Sequence, residues 1–372
     1  MESSEPGSSL LWTGSEEEKM IMMKHKLRTV VVGLGRIAWG FHLPQICGHD
    51  GFELCAVVDP CRERLEEARR KFGVTRLYED FSTMLEEVRP ELTVIASPTI
   101  FHATQAVEAM RSGSDIFCDK PVALSFGETD TMFAAAERFG RRMMVYQPHR
   151  LTPEAVGARR IVDSGKLGKI YLMERHISYY ARRNDWQAFR RNGGGMLLNY
   201  GAHYLDQMLD LLDYKVRRAR CELRRIASLG DADDVVHALV TTEKGVLIDL
   251  DINQAVALPL PEWRICGEWG TALYEGGKWH MRYFDPAALP ERKADRTLAA
   301  AGRRYPSEPI PWKDEEISDG PADPDAYYRL CYDYFAAGGA PFVPAVQTLE
   351  LMHALDLCRA DAEIAERDVV PV

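Results

Sequence analysis

"LRTVVVGLGRIAWG", Leu27 to Gly40, runs from four apolar strand positions into two closely spaced glycines and then into a helix. Gly33, Gly35 and Ala38 form G-x-G-x-x-A, with Arg36 and Ile37 between the second glycine and the alanine. In a strand-turn-helix unit the first glycine permits the tight turn and the second lets the backbone approach a pyrophosphate. A small third residue lets helix and strand pack closely, with the helix N-terminus facing the phosphate charge. The next β-rich run, "FELCAVVD", ends in Asp59, where a carboxylate accepts ribose hydroxyls and repels a 2'-phosphate. NAD is therefore expected over NADP, with Arg62 and Arg64 partly offsetting the charge. The same residues also suit a plain turn and a capped helix, so the decision needs the rest of the chain.

Outward from that stretch, "LTVIASP", "DIFCDKP" and "RMMVYQP" read as further strands. Segments near 38 to 48, 61 to 72, 101 to 112 and 125 to 139 carry helical periodicity. The near-continuous apolarity of "VVVG" and "TVIAS" fits parallel strands covered on both faces, so residues 27–150 are expected to form a doubly wound domain. Ligands bind beyond the C-terminal ends of such strands. Ser97, Pro98, Thr99, His102, Asp119, Lys120 and Pro121 should then border one crevice, with Gln147 lining the cofactor side. Lys120, held by the following proline near a cationic nicotinamide, is suited to proton transfer or to binding a substrate oxygen. A surface lysine at a strand end is the plainer alternative.

After Arg150 comes a helix across "EAVGARRIVDSG", followed by long alternating runs. "KIYLMERHISYY", "KVRRARCELRRIASL", "DVVHALVTTE", "GVLIDLDINQAV" and "EWRICGEWGTALYE" predict a large, mainly antiparallel open sheet with one polar face. Ile248, Leu250 and Ile252 should face inward while Asp249, Asp251 and Asn253 face out. Residues 151–372 thus form a second α/β domain for substrate and for dimer or tetramer contacts through the open sheet. Its closing helices, "DAYYRLCYDYFAAGG" and "AVQTLELMHALDLCRADAEIAE", are placed to pack back on the first domain. The stretch from about Pro286 to Pro324 reads as a loop excursion, and the first 26 residues as a flexible extension.

A chain of 372 residues with 46% hydrophobic and 27% charged residues is large enough for two globular cores. The net charge of -10 disfavours nucleic acid, the arginines 217, 218, 220, 224 and 225 reading as an exposed strand face, and no apolar run is long enough to span a membrane. Eight cysteines without metal-type spacing suit reduced thiols in a cytoplasmic protein.

"GLGRIA", "SPTIFH", "CDKP" and "GGGMLLNYGAHYLD", in this order, resemble the glucose-fructose oxidoreductase and inositol dehydrogenase family, the Gfo/Idh/MocA group. "YQPHRLTP", "IVDSGKLGKI", "RICGEWGTALYE", "DPDAYYRLCYDYFAAG" and "LELMHALDLC" extend the resemblance from Leu27 nearly to the end. It implies an N-terminal Rossmann domain, a C-terminal α/β domain with an open sheet, and a substrate cleft between them. The implied reaction is reversible NAD(P)-dependent oxidation of a sugar, cyclitol or related polyol hydroxyl. Lys120 matches the family's catalytic lysine, with Asp119 in place of the usual glutamate, and His203 matches its histidine. Asn199 stands where an aspartate is expected, so it can orient a group but cannot relay a proton.

His203 is accordingly expected as general acid/base and Lys120 as donor to the reacting oxygen, with the roles exchangeable. Asn199 is expected to position the substrate or His203, and Tyr200, Asp206, Arg150 and Trp186 to contact substrate. His149 and Arg150 are read as helping to close the cleft, and "RRNDWQAFRRN" as a substrate lid or, equally, a solvated loop. No metal site is expected, since His149, His176 and His237 form no ligand set with His203. Two other functions fit the same resemblance. One is a catalytically idle protein that senses a dinucleotide or sugar; the other is a dehydrogenase of a non-carbohydrate such as a dihydrodiol.

Overall fold

A computed structural model describes residues 26–212, 215–294, 296, 308–319 and 323–365. The extension expected at the N-terminus lies almost wholly outside the described residues.

Six parallel strands form the first sheet, in the order β3-β2-β1-β4-β5-β6. They are β1 (Leu27–Val32), β2 (Phe52–Val58), β3 (Leu77–Tyr78), β4 (Leu92–Ile95), β5 (Asp115–Asp119) and β6 (Met143–Tyr146). Val30, Val31, Val94, Ile95, Ile116 and Phe117 are fully buried, because helices cover both faces. The order reverses direction between β1 and β4, which opens the crevice at the strand C-termini where the glycine turn lies. The helices are α1 (Leu43–Gly48), α2 (Arg62–Phe72), α3 (Phe81–Val88), α4 (His102–Arg111) and α5 (Phe126–Phe139). The expected continuous helix after the glycines instead begins with a π-helical turn, Ala38–His42. Asp80 caps α3 by accepting from Thr83 N.

The second domain opens with α6 (Pro153–Asp163), started by Pro153. Its sheet has nine strands in the order β14-β13-β12-β11-β7-β10-β9-β8-β15. These are β7 (Ile170–Ser178), β8 (Val216–Arg224), β9 (Val235–Thr242), β10 (Leu247–Asn253), β11 (Trp263–Gly267), β12 (Gly270–Glu275), β13 (Lys278–Tyr283), β14 (Lys313–Ser318) and β15 (Glu363–Ala365). Most pairs are antiparallel, but β7 and β10 run parallel, as do β8 and β15. Ile248, Leu250 and Ile252 are fully buried while Asp249, Asp251 and Asn253 lie on the outer face, as the alternation predicts. Strand β14 corrects the loop expected across 286–324: Lys313 to Ser318 pairs in register with β13. The arginines of β8 project outward, Arg220 pairing with Asp361 and Arg224 with Glu222.

Three helices complete the second half: α7 (Ala202–Leu211), α8 (Ala326–Phe335) and α9 (Ala345–Asp361). Helix α8 packs on the first sheet, where Tyr327 and Tyr328 are buried against Phe117 and Tyr146. The Tyr327 hydroxyl donates to Val145 O at 2.7 Å and accepts from Gln147 N at 2.8 Å. That tie fixes the turn after β6 and, through it, the approach of the two domains.

Candidate functional site

A cleft of about 580 Å³ runs from the glycine turn to α7, within the usual range for small-molecule sites. At its cofactor end Gly33 adopts φ +85°, and a Cβ there would stand 2.6 Å from the Ser97 backbone. Only glycine permits that turn. A Cβ on Gly35 would meet nothing within 4 Å, so this part of the loop faces the open cleft as a phosphate cradle requires. These features fit a dinucleotide. Gly33, Gly35, Arg36, Ile37, Asp59, Arg64, Ser97, Pro98, Thr99, Asp119 and Lys120 all line the cleft. Ala38 lies fully buried beneath it, serving packing alone.

Asp59 is fixed more tightly than its motif suggests. Its Oδ2 accepts from Leu34 N at 2.7 Å and its Oδ1 from Cys61 N at 2.9 Å, while the exposed Arg64 guanidinium lies 3.6 Å away. The backbone bonds hold the carboxylate at the cleft rim, with lone pairs left for ribose hydroxyls.

At the other end, Lys120 follows the last residue of β5 and is joined to Pro121 by a cis peptide. Its Nζ donates to Asn199 O at 2.8 Å and to Asn199 Oδ1 at 2.9 Å. Burial lowers the Lys120 pKa and Arg183 adds to the effect, against the opposing charge of Asp119. Burial likewise raises the Asp119 carboxyl.

Asn199 sits in a second π-helical turn, Leu197–Gly201, immediately before α7. Local insertions of this type reorient side chains and recur at functional sites. The glycines before it allow close passage: a Cβ on Gly194 would fall 2.2 Å from Gln187 O, and one on Gly195 would fall 2.2 Å from Asp233 Oδ1. Asp233 holds the turn by accepting from Leu197 N at 2.9 Å through Oδ2. Asn199 thus orients Lys120, a role the sequence did not point to, and it also lines the cleft in which it was expected to position substrate. Its Nδ2 also donates to Gln187 Oε1 at 3.3 Å, and that oxygen accepts from Arg36 Nη2 at 3.3 Å. Arg36 pairs with Asp185 at 2.6 Å. The 183–187 segment therefore straps the glycine turn to the lysine.

His203 lines the cleft on the first turn of α7. Its ring stacks on His149 with centroids 3.7 Å apart and planes 7° from parallel. Neither Nδ1 has a hydrogen-bond partner among the described residues. Burial, Lys120 and His149 hold the His203 pKa well below 6.5, and burial with Lys120 and Arg175 lowers that of His149 to about 4. Two rings this close cannot both be cations at modest cost, so both are neutral near pH 7.

Several expected site residues lie elsewhere. Asp206 is 1% exposed and takes a two-pronged ion pair from Arg150, with Nε to Oδ2 at 2.8 Å and Nη2 to Oδ1 at 2.9 Å. Neither residue lines the cleft where substrate contact was expected of them, and Arg150, tied to Asp206, is not at its mouth. Gln147 is buried with Nε2 donating to Ala202 O at 3.0 Å, so it braces α7 instead of lining the cofactor. His102 borders the cleft, but its ring nitrogens lie 3.0 Å from Pro121 O and 2.7 Å from Ser97 O, tying two strand ends together. His149 faces the cleft as the stacking partner of His203. Trp186 and Tyr200 do line the cleft.

Arg183, Asp185, Gln187 and Tyr204 also line it, and the motif reading missed their roles. The charges and tryptophan of "RRNDWQAFRRN" signalled the first three, without distinguishing a strap from a solvated loop. Tyr204 was hidden because its position in α7 reads as ordinary helix. Among the described residues no group of three or more His, Cys, Asp or Glu is arranged to hold a metal ion, and no helix is long and apolar enough to cross a membrane.

Comparison with known proteins sets this site in context. Residues 27–147 match the model of an oxidoreductase family with an NAD-binding Rossmann fold, GFO/IDH/MocA, and residues 156–273 match that family's C-terminal domain. Among curated relatives, D-glucoside 3-dehydrogenase of Escherichia coli (strain K12) is 27% identical over 53% of this chain and 57% of its own. scyllo-Inositol 2-dehydrogenase (NAD(+)) of Bacillus subtilis (strain 168) is 28% identical over 50% and 53%. The chain spans little more than half the length of these relatives. The fold matches the WlbA dehydrogenase from Bordetella pertussis, solved in complex with NADH and UDP-GlcNAcA. That match has a TM-score of 0.72 and 22% identity, over 91% of this chain and 96% of the other. With both family domains present in order and the dinucleotide cradle facing the lysine and histidine, the chain belongs to the Gfo/Idh/MocA family of NAD-binding oxidoreductases.

Proposed function

We infer that the protein is an NAD-dependent dehydrogenase of a sugar, cyclitol or related polyol hydroxyl, with Lys120 as general base and His203 as a neutral orienting group. The observation that carries this reading is the Lys120 amine. Two of its tetrahedral positions donate to the two Asn199 oxygens in the same cleft as the glycine cradle. In the neutral amine the remaining position is a lone pair, and in the ammonium it is an N–H.

A bound nicotinamide ring supplies the hydride acceptor. Lys120 takes the hydroxyl proton as the C–H bond breaks, and in the reverse direction its ammonium returns that proton to the carbonyl oxygen. Its lowered pKa suits both directions, because a base works best when its pKa is near the operating pH. His203 is too poor a base for that task at neutral pH, but its imidazole can direct the hydroxyl by hydrogen bonding. The roles first expected for these two residues are therefore exchanged. A panel of sugars, cyclitols and polyols, followed by reduced-nicotinamide absorbance, tests the reading; no turnover with any of them rejects it.

Replacement Asn199→Asp provides a sharper test of Lys120. A carboxylate beside Nζ favours the ammonium, so the rising limb of kcat/KM for oxidation moves to higher pH by about one to three units. The sign follows from the requirement for the unprotonated amine: raising its pKa delays that form as pH increases. Activity recovers above the shifted limb. A uniformly lowered profile with an unmoved limb shows that Asn199 acts only as a structural residue.

Asp59 at the ribose end favours NAD, while Arg64 offers the nearest cation for a 2'-phosphate. The expected KM for NADP+ exceeds that for NAD+ by about tenfold or more, and Arg64→Ala weakens NADP+ the more strongly. Equal KM values reject this preference. Eight free thiols suit a reducing, cytoplasmic compartment. The exposed Leu239 and Leu247 on the outer sheet face support a homodimer or homotetramer through that face.

A further inference from the structure

A second cavity, of about 520 Å³, lies beside the cofactor cleft, and Tyr200 and Tyr204 line both. Their rings meet edge to face at 5.7 Å, and the Tyr204 ring lies 5.5 Å from His149 and 6.3 Å from His203. The two cavities therefore share this pair of rings, with His203 close by on the cleft side. Its other walls come from β7, the Pro259–Glu262 loop and the β12–β13 turn, so it belongs wholly to the second domain.

The lining defines a ligand class. Tyr179, Tyr200, Tyr204 and Tyr274 present aromatic surface, which suits the C–H faces of a pyranose or a similar hydroxylated ring. Arg175 is 2% exposed, sandwiched 4.8 Å from the Tyr204 ring and 4.7 Å from that of Trp263. Glu262 meets its charge at 2.9 Å, while its Nε has no hydrogen-bond partner among the described residues. With Glu275 also in the wall, no uncompensated cation faces the cavity, which disfavours a phosphate or carboxylate there.

We propose that this cavity binds an uncharged second ring of the substrate, so that the protein acts on a glycoside whose reacting ring lies at Lys120 and His203. This rests on the dehydrogenase reading above and adds the substrate's size and charge. Tyr200 and Tyr204, common to both linings, flank the junction between the two rings, and Tyr179 buttresses them through its hydroxyl, which donates to Tyr200 Oη at 2.8 Å.

The test compares D-glucose, D-galactose and D-xylose with cellobiose, lactose and xylobiose, and adds glucose 1-phosphate as an anionic probe. Steady-state oxidation with NAD+ and calorimetric binding to the NADH-loaded protein are both measured. At least one disaccharide is expected to exceed its monosaccharide by about tenfold in kcat/KM and in affinity, while glucose 1-phosphate gains nothing. Leu260→Trp, on the exposed rim, and Ser178→Trp, in the wall, fill the cavity and should abolish the advantage while monosaccharide values stay unchanged. Equal values for one and two rings, or an advantage that survives both fillings, overturns the proposal even if monosaccharides are oxidised. A cavity-dependent binding advantage without any turnover sustains the second-ring site and rejects the dehydrogenase reading instead.

Discussion

Replacing Lys120 with methionine lowers kcat by about 10²–10⁴-fold, the usual worth of a positioned acid/base, and leaves NADH affinity nearly unchanged. Methionine keeps the length and apolar stem but removes both donors to Asn199 and the proton site. Lys120→Arg separates the two roles that a lysine can play here. Arginine retains a cation and can donate to the Asn199 oxygens, but it does not release a proton at any working pH. If Lys120 is the base, both variants are nearly inactive. Arginine activity within about tenfold of the parent assigns Lys120 to charge stabilisation and returns the proton to His203. Intact NADH binding, read by fluorescence titration, excludes global damage as the cause. Equal activity of parent and methionine variant defeats the base assignment altogether.

The first domain was legible because its physics is local. Buried parallel strands read as apolar runs, and the turn at Gly33 admits no residue with a side chain. What escaped was either short or set by tertiary pairing. β3 has only two residues, and β13 and β14 carry alternating charges that resemble a solvated loop until the strands are paired. The parallel pairing of β7 with β10 leaves no local trace, since alternation reveals a face and not a neighbour's direction.

The site divides along the same line. Lys120 and His203 were found from motif order, but the partners of each came from the fold. An asparagine at 199 signals a neutral acceptor without saying for whom, and the π-helical turn that aims it at Lys120 shifts side chains off the 3.6-residue period. Similarly, the stack of His149 on His203 joins residues 54 positions apart, where helical spacing says nothing. Asp206 misled because i, i+3 spacing places it on roughly the same helix face as His203. The angle between the two side chains suffices to put His203 at the cleft and Asp206 against Arg150.

That buried pair sets the largest stability effect expected in the molecule. Asp206→Ala takes the two-pronged carboxylate from the Arg150 guanidinium, whose side chain is 3% exposed, and should cost about 3–5 kcal/mol. Arg150 Nη1 reaches Gln347 Oε1 at 2.8 Å and Asp210 Oδ1 at 3.4 Å, but Nε and Nη2 both point at Asp206. In a chain of this size the loss lowers Tm by about 4–6 °C, measured by calorimetry with and without NADH. Asp206→Asn keeps one acceptor oxygen and should fall between parent and alanine. The paired change Arg150→Met with Asp206→Leu removes both charges and should recover much of the loss, since a buried ion pair can be exchanged for apolar packing. Below its melting transition Asp206→Asn should retain the parent's substrate KM, because the carboxylate lies outside the cleft. An Asp206→Asn protein with the parent's Tm but a raised KM would restore Asp206 to the substrate site and break the assignment of this pair to structure.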